Sequence, residues 1–446
     1  MGSGAFLVEA CRYLADQVVL AWTREGRHDL LAGKEDATLL ARRLVAQRCL
    51  YGVDKNAYAV NLAKLSLWLV TLARDLPFTF VDHALRHGDS LVGLSFEQIT
   101  AFHWKPGKQL ELCQTELTST LNEAIAARQR ILELAGDPSP AAQKEKEWLL
   151  RDAEDALERV RMIGDLVVGA FFSADKDKDR EKERDRRRDL VLGWLRAGGA
   201  PPGDLVELRD EIRKRTPVFH WMAEYPEVFW VDRPDPLDAD RTGQRAWIDA
   251  FVGNPPFMGK DATTDANGPD YLEWLKTAFV GDTGVRGNCD VCAFFFRRTA
   301  ALLGDHGTLG LIATNTISQG DTRQIGLKHL LGEGNTMIYE ATRSMPWPGD
   351  AAVSVAVVHL EKGRLVVLPR AARVLDGHEV PAISSRLRSG AERADPLPLR
   401  DNANLSSQGS IILGMGFVQT PAEQAALLAM NPDLLPYPPG GLSGFQ

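Results

Sequence analysis

Two adjacent prolines close an apolar run at Phe251-Val252-Gly253-Asn254-Pro255-Pro256-Phe257. A proline has no N–H to give to a ladder, so a strand ends here and the chain leaves its carboxyl end as a loop. That loop carries two acceptors, Asn254 Oδ1 and the Pro255 carbonyl, followed by the aromatic ring of Phe257. The lone pair of an exocyclic amine such as adenine N6 is delocalised into its ring. Such a nitrogen needs acceptors for both its hydrogens before it can attack an electrophilic carbon, and the loop can supply them with Phe257 left to stack on the base. A Pro-Pro turn that merely caps a strand is the other reading of the same residues.

Three further stretches precede it in order. Gly2-Ser3-Gly4-Ala5-Phe6 opens an amphipathic segment (Phe6, Ala10, Tyr13, Leu14, Gln17, Val18) with helical spacing, which places glycines where backbone can approach a ligand at a helix N-terminus. Cys49 to Val53 reads as a strand ending at Asp54, and Ala57 to Ala73 as a buried helix. An acid at the end of a second strand is the usual acceptor for ribose hydroxyls in nucleoside-binding sheets. In His87-Gly88-Asp89-Ser90-Leu91, Asp89 can accept from an adenine amino group. Singly, Asp54 and Asp89 also read as solvated loop acids.

Together, GSGAF, YGVDKNAYAVNLAKLSLWL, HGDSLVG, FHWMAEYPEVF and FVGNPPF resemble the S-adenosylmethionine-dependent N6-adenine DNA methyltransferases of restriction-modification and phage-defence systems, more narrowly the large gamma-class enzymes. The similarity covers most of the chain, and the joint order of the motifs is more specific than any one of them. The resemblance implies a cofactor, S-adenosyl-L-methionine, and a partner, double-stranded DNA with a flipped adenine. It places Gly2, Gly4 and Phe6 in the cofactor loop, Asp54 at the ribose, Asp89 at the cofactor adenine, and Asn254, Pro255, Pro256 and Phe257 in the catalytic loop. No metal is required by that chemistry.

The alternation of strands and helices predicts an α/β fold, a doubly wound Rossmann-like sheet. Four parts are expected: a cofactor-binding part over 1–108, a helical, charged insertion over 109–216, a catalytic part over 217–362, and the start of a target-recognition region over 363–446. Within the insertion, Leu110 to Leu134 and Ala141 to Phe171 carry helical apolar spacing around the breaker Gly136-Asp137-Pro138-Ser139-Pro140. This predicts a helical hairpin projecting from the sheet, either a clamp or dock or a mere support. The aromatics of Pro217–Trp221 and Tyr225–Trp230 read as core. After the catalytic loop, Asp290 to Leu303 reads as a helix, Thr308 to Thr314 as a buried strand, Asn315 to Gly320 as a polar loop and Val353 to Leu360 as another strand. The resemblance adds a reversed hairpin strand. Ser407 to Phe417 is the most regular piece thereafter.

With 446 residues, 44% of them hydrophobic, the chain can bury a large core. Its formal net charge of −8 neither supports nor excludes DNA, because phosphate contacts depend on local charge. Basic residues concentrate in Arg180 to Arg188, Arg213-Lys214-Arg215 and Arg297-Arg298. The first run is interleaved with acids and reads as a solvated surface segment. The five cysteines (Cys11, Cys49, Cys113, Cys289, Cys292) lack framework spacing, and Cys289-x-x-Cys292 has no second pair, so free thiols in a cytoplasmic protein are expected over zinc. No apolar run is long enough to span a bilayer, so no membrane partner is expected.

Related enzymes carry an acid-Pro pair and a central strand just ahead of the glycine loop, whereas here Met1 stands directly before Gly2. The sequence therefore reads as truncated at both ends, with little activity expected from the chain alone and with an upstream polypeptide, or restriction and defence subunits, as partners. Methylation of RNA or of a protein glutamine amide is an alternative, since those amines share the delocalised lone pair. A catalytically silent fragment or DNA-binding scaffold is another.

Overall fold

In the computed structural model the described residues are 1–31, 36–72, 78–105, 107, 114–235, 238–243, 247–280, 289–347, 353–363, 372–395, 426, 429 and 430. Residues 1–392 form one compact unit and 393–446 a second. The expected regular piece Ser407 to Phe417 and Cys113 lie outside the described residues, as does the start of the first insertion helix at Leu110.

Ten strands are described: β1 Gly52–Asp54, β2 Leu85–His87, β3 Arg233–Asp235, β4 Asp238–Gly243, β5 Ile248–Gly253, β6 Leu303–Thr314, β7 Thr336–Pro346, β8 Ser354–Lys362, β9 Arg373–Leu375 and β10 His378–Val380. The single doubly wound sheet anticipated from the sequence is divided. β1 and β2 pair in parallel by themselves, while β10-β9-β7-β8-β6-β5 form a six-stranded mixed sheet and β3-β4 a small hairpin. β5 and β6 are parallel, and β8 runs antiparallel to both β6 and β7, so the reversed hairpin strand is present.

Side chains rather than a ladder join β1 to β5. Val53 belongs to one apolar cluster with Phe219, Trp221, Tyr225, Val228 and Phe229, against which Tyr51, Ile248 and Phe251 pack. The Tyr225 hydroxyl lies 3.0 Å from the Gly52 carbonyl and 2.9 Å from that of Ala84, so its one hydrogen is shared between the starts of β1 and β2. Desolvation raises its phenol far above the ordinary range. The sequence reading of these aromatics as core therefore holds for Phe219, Trp221, Tyr225 and Phe229, whereas Trp230 is exposed.

The helix Ala5–Arg24 starts where the glycine loop ends. Gly4 has φ +86°, and a Cβ there would lie 3.0 Å from Ala63, so only glycine meets both the backbone conformation and the close approach of the helix Ala57–Val70. That approach sets which face is covered. The buried residues are Leu7, Cys11 and Ala15, not the expected stripe, and Phe6 and Tyr13 stay 40% and 66% exposed. Helix Ala57–Val70 departs from expectation in the same way. It buries Val60, Ala63 and Leu67, while Tyr58, Leu62, Leu65 and Leu69 are exposed, because its described neighbours cover one stripe of a helix that is apolar all round.

The helical hairpin is present as Gln114–Glu133 and Pro140–Phe171. Ser139 accepts the Ala142 N–H at 3.2 Å, Pro140 fills the first turn and Asp137 accepts the Ser139 N–H at 2.8 Å, so the breaker also starts the second helix. The hairpin does not simply project. Val160 to Phe171 is buried without interruption, and its apolar side chains share a core with Leu309 and Leu311 of β6. Where the helix must also bury charge, it pairs it: Arg161 Nε donates to Glu224 Oε1 at 2.7 Å and Arg86 Nη2 to Glu224 Oε2 at 2.9 Å, with Glu154 closing the network. Burial alone would raise Glu224, but the Arg161 and Arg86 charges bring it down to about 2.

The charged run lies on the helix Asp177–Ala197 and is paired almost wholly within itself. Arg186 and Arg187 both bond Glu183, Arg184 meets Glu181 and Asp185, and Arg188 meets Asp185 and Asp189. Among the described residues, no helix is long and apolar enough to cross a membrane, and no group of His, Cys, Asp or Glu has the arrangement of a metal site.

Candidate functional site

Parallel pairing puts the loops that follow β1 and β2 side by side, since Asp54 of β1 is in register with His87 of β2. The Gly2 amide donates to Asp54 Oδ2 at 2.8 Å, which brings the glycine loop and the first candidate acid into direct contact. Asp54 Oδ1 accepts from the Asn56 amide at 2.8 Å, and Asn56 in turn caps the helix Ala57–Val70 through the Tyr58 amide at 2.9 Å. Phe6 lies on the first turn of its helix with its ring exposed.

Asp89 is placed differently. Its side chain is 4% exposed, and Oδ1 accepts from the Leu91 amide at 3.0 Å and from the Tyr271 hydroxyl at 3.1 Å. The Lys55 ammonium lies 2.9 Å from Oδ2. The backbone is held as firmly, because the Asp89 amide donates to the Pro217 carbonyl at 2.6 Å and the Phe219 amide to the Val92 carbonyl at 2.8 Å. A Cβ at Gly93 would fall 1.9 Å from the Phe219 carbonyl oxygen, so the two segments close only over glycine. Asp89 is thus not the solvated loop acid that was one reading of it. Burial raises the Tyr271 phenol well above its ordinary range, with the Asp89 charge adding to the effect, so it stays a hydrogen-bond donor.

Lys55 ties this acid to the third loop. Its ammonium also donates to Asn267 Oδ1 at 2.6 Å and lies 4.8 Å above the Tyr271 ring. Asn267 ends the helix Lys260–Asn267, and Tyr271 lies on the helix Pro269–Leu275 that follows; both are continuous with the loop after β5. One side chain therefore joins the ends of β1 and β2 to the segment that follows Asn254–Phe257.

In that loop Asn254 and Pro256 are exposed, Pro255 is buried and Phe257 is half-buried. Phe257 meets Trp347, at the end of β7, edge to face with ring centroids 6.1 Å apart. Beyond Phe257, the Met258 carbonyl accepts the Val291 amide at 2.9 Å and the Met258 amide points at Asp290 Oδ1 at 3.4 Å. Asn315 to Ser318 forms a short 3-10 turn at the end of β6, the strand parallel to β5, so this polar segment follows the expected position beside the loop.

Sequence reasoning missed Lys55, Tyr271, Asp290 and Trp347. Lys55 carried a usable signal, as a cation directly after the strand-end acid. The others are distant in sequence and only the fold brings them in. Cys289 and Cys292 are free, buried thiols, raised by desolvation first and by Asp290 next. Of the other basic groups, Arg213 donates to Asp165 at 2.6 Å, Arg215 to Asp270 at 2.7 Å, and Arg298 is half-buried over the Phe279 ring.

The arrangement defines a mixed α/β protein whose glycine loop, strand-end acid and Asn-Pro-Pro-Phe loop lie at strand carboxyl ends, a geometry suited to a nucleoside cofactor and an amine acceptor. The model of the Eco57I restriction-modification methylase family matches residues 48–331, and the chain belongs to that family. No curated protein matches it. Among solved structures, the Type IIL restriction-modification enzyme MmeI in complex with DNA is similar over 97% of this chain and 47% of its own, at 14% identity and a TM-score of 0.35. The chain thus spans about half the length of that enzyme. A Listeria monocytogenes protein assigned to the class I S-adenosylmethionine-dependent methyltransferases is 11% identical over 58% of this chain and 91% of its own, with a TM-score of 0.23. A nuclease-deletion mutant of the Type ISP restriction-modification enzyme LlaGI, solved with a DNA substrate mimic, is 10% identical over 80% of this chain and 34% of its own, with a TM-score of 0.19.

Proposed function

We propose that the protein transfers a methyl group from S-adenosyl-L-methionine to N6 of an adenine in duplex DNA. The observation that carries this reading is the position of Asn254–Phe257 at the carboxyl end of β5, joined through Lys55 to Asp89 and so to the loops that follow β1 and β2. Family membership supports it. The glycine loop fits such a cofactor, because backbone approach is open at Gly2, and Asp54 fits it through the lone pair left beside its contacts to the Gly2 amide, the Asn56 amide and the Met1 amino group at 3.2 Å. Asp89 fits it once Tyr271 or Lys55 yields a place on the carboxylate to the adenine amino group. When bound, the cofactor supplies an electrophilic methyl group.

The adenine leaves the stack, because its amine cannot meet a protein-bound electrophile inside the duplex. Asn254 Oδ1 and the Pro255 carbonyl then accept the two amino hydrogens, which localises the nitrogen lone pair as positive charge develops. Phe257 holds the base plane, and Trp347 braces the ring of Phe257. No side chain has to remove a proton before attack, which agrees with a loop that offers acceptors and no histidine.

Incubating the protein with radiolabelled S-adenosyl-L-methionine and, in parallel, duplex DNA, total RNA and cell protein tests the reading. Label in DNA, recovered as N6-methyladenine after nuclease digestion, is the expected result. Label confined to RNA or to glutamine would replace the substrate class, and cofactor binding without transfer to any of the three would leave a binding scaffold.

A further inference from the structure

Asp290 stands two residues before the helix Cys292–Leu302, where an acid ordinarily accepts a helix amide, and its Oδ1 does accept the Cys292 amide at 3.0 Å. Its other contacts go elsewhere. The same oxygen faces the Met258 amide at 3.4 Å, directly after Phe257. Oδ2 accepts from the Thr314 hydroxyl at 3.4 Å, on the last residue of β6, and the Asp290 amide donates to the buried Thr322 hydroxyl at 3.1 Å. The next residue completes the link, since the Val291 amide donates to the Met258 carbonyl at 2.9 Å. Both polar groups of the Met258 backbone thus end on Asp290-Val291, and the carboxylate spans from the loop after β5 to the end of β6.

We propose that Asp290 is a positioning residue for the reaction, which holds the Asn254–Phe257 loop at the end of its strand so that the Asn254 and Pro255 acceptors stay fixed relative to the amine. This rests on the reading of that loop as catalytic. A loop with two prolines has few conformations, but nothing in Asn254-Pro255-Pro256-Phe257 itself sets its tilt against the sheet. The tilt is set where the loop leaves, at Met258. The chemistry is sensitive to it, because acceptors that are displaced by a fraction of a bond length lose most of their advantage in the transition state. A helix cap alone needs neither the Met258 nor the Thr314 contact.

The full chain is compared with Asp290→Ala and Asp290→Asn. Asparagine keeps the Oδ1 acceptor for Met258 and Cys292 and can donate from its amide nitrogen to the Thr314 hydroxyl. Amide hydrogen exchange over residues 254–259 reads the anchoring without requiring activity. The expected result for Asp290→Ala is exchange accelerated about tenfold or more in that peptide, kcat for methyl transfer lower by about tenfold to a hundredfold, and S-adenosyl-L-methionine affinity unchanged, with asparagine restoring protection and most of the rate. Exchange that rises only within 292–302, with the loop peptide as protected as in the parent, would overturn the proposal in favour of a plain cap. An asparagine variant as impaired as alanine in loop protection would overturn it as well. If the parent transfers no methyl group, the catalytic reading of the loop fails, and the exchange data still decide whether Asp290 anchors it.

Discussion

Phe257 and Trp347 meet edge to face, with ring centroids 6.1 Å apart and planes at 88°. The first ring belongs to the loop after β5 and the second to the end of β7, so a hairpin far along the chain helps to wall the proposed base site. Such a pair contributes about 0.5–1.5 kcal/mol beyond area burial, so Trp347→Ala is expected to weaken base capture by about twofold to tenfold. Fluorescence of 2-aminopurine placed at the target adenine measures it. Capture unchanged in Trp347→Ala would remove Trp347 from the site.

Asn254→Ala should remove an acceptor at a developing charge, and losses of that kind cost on the order of a hundredfold or more in rate. Asn254 is exposed and makes no structural contact that the reading needs, so the fold and cofactor affinity should stay near wild type. Initial rates with saturating cofactor check this, and a near-normal rate would discard the assignment.

Asp54→Ala should act on cofactor binding. A half-buried acceptor for ribose hydroxyls is worth about 1.5–3 kcal/mol, or about tenfold to a hundredfold in affinity. Because Asp54 also holds the Gly2 and Asn56 amides, a modest loss of thermal stability accompanies it. Isothermal titration on the folded variant is the measurement; an unchanged Kd would move the ribose contact elsewhere.

Tyr271→Phe is expected to tighten S-adenosyl-L-methionine binding, by about twofold to tenfold, the worth of one hydrogen bond. The Tyr271 hydroxyl occupies Asp89 Oδ1, and the variant leaves the carboxylate one fewer internal donor to give up. Weaker or equal binding would place Asp89 in a purely structural role.

Acid should destabilise the fold through two buried groups. Glu224, though raised by burial, is brought by Arg161 and Arg86 to about 2, below its unfolded value, so its contribution is present above about pH 4.5 and is lost as pH falls toward 2. His83 is depressed to about 3 by burial first and by Arg128 next, so the unfolded chain binds its proton first and stability declines from about pH 6.5 downward. Both signs agree. Denaturant melts between pH 7 and pH 3 should show a falling midpoint, and Glu224→Gln, which leaves the buried Arg161 and the half-buried Arg86 with Glu154 alone, should cost about 3–5 kcal/mol at pH 7.

Strand ends and loops were the most legible parts of this chain. Asp54, Asn254 and Thr314 fall where punctuation by glycine, proline and polar residues put them, because those residues act on the backbone locally. Helix faces were less legible. Apolar spacing in Ala5–Arg24 left the choice of stripe to the neighbour, and the Gly4–Ala63 approach selected Leu7, Cys11 and Ala15 over Phe6 and Tyr13. The place of Asp89 just after its strand was legible, but its burial was not, since Lys55 and Tyr271 reach it only through tertiary structure. The division of the sheet escaped for the same reason: alternation predicts strands and helices, not which strands share a ladder.

Glu183 pairs with both Arg186 and Arg187, and the Arg186 hydrogen bond is the chief influence that takes its carboxyl to about 2. On the helix Asp177–Ala197 one of these partners, Arg186, is an exposed cation held in reserve, and the other, Arg187, is buried. Removing Glu183 would free the exposed Arg186 guanidinium for a polyanion, but it would leave the buried Arg187 charge short of its partner, so affinity gained by that loss is offset by lost stability. At this helix the charge offered to a partner and the packing that holds the fold meet on one side chain, Glu183.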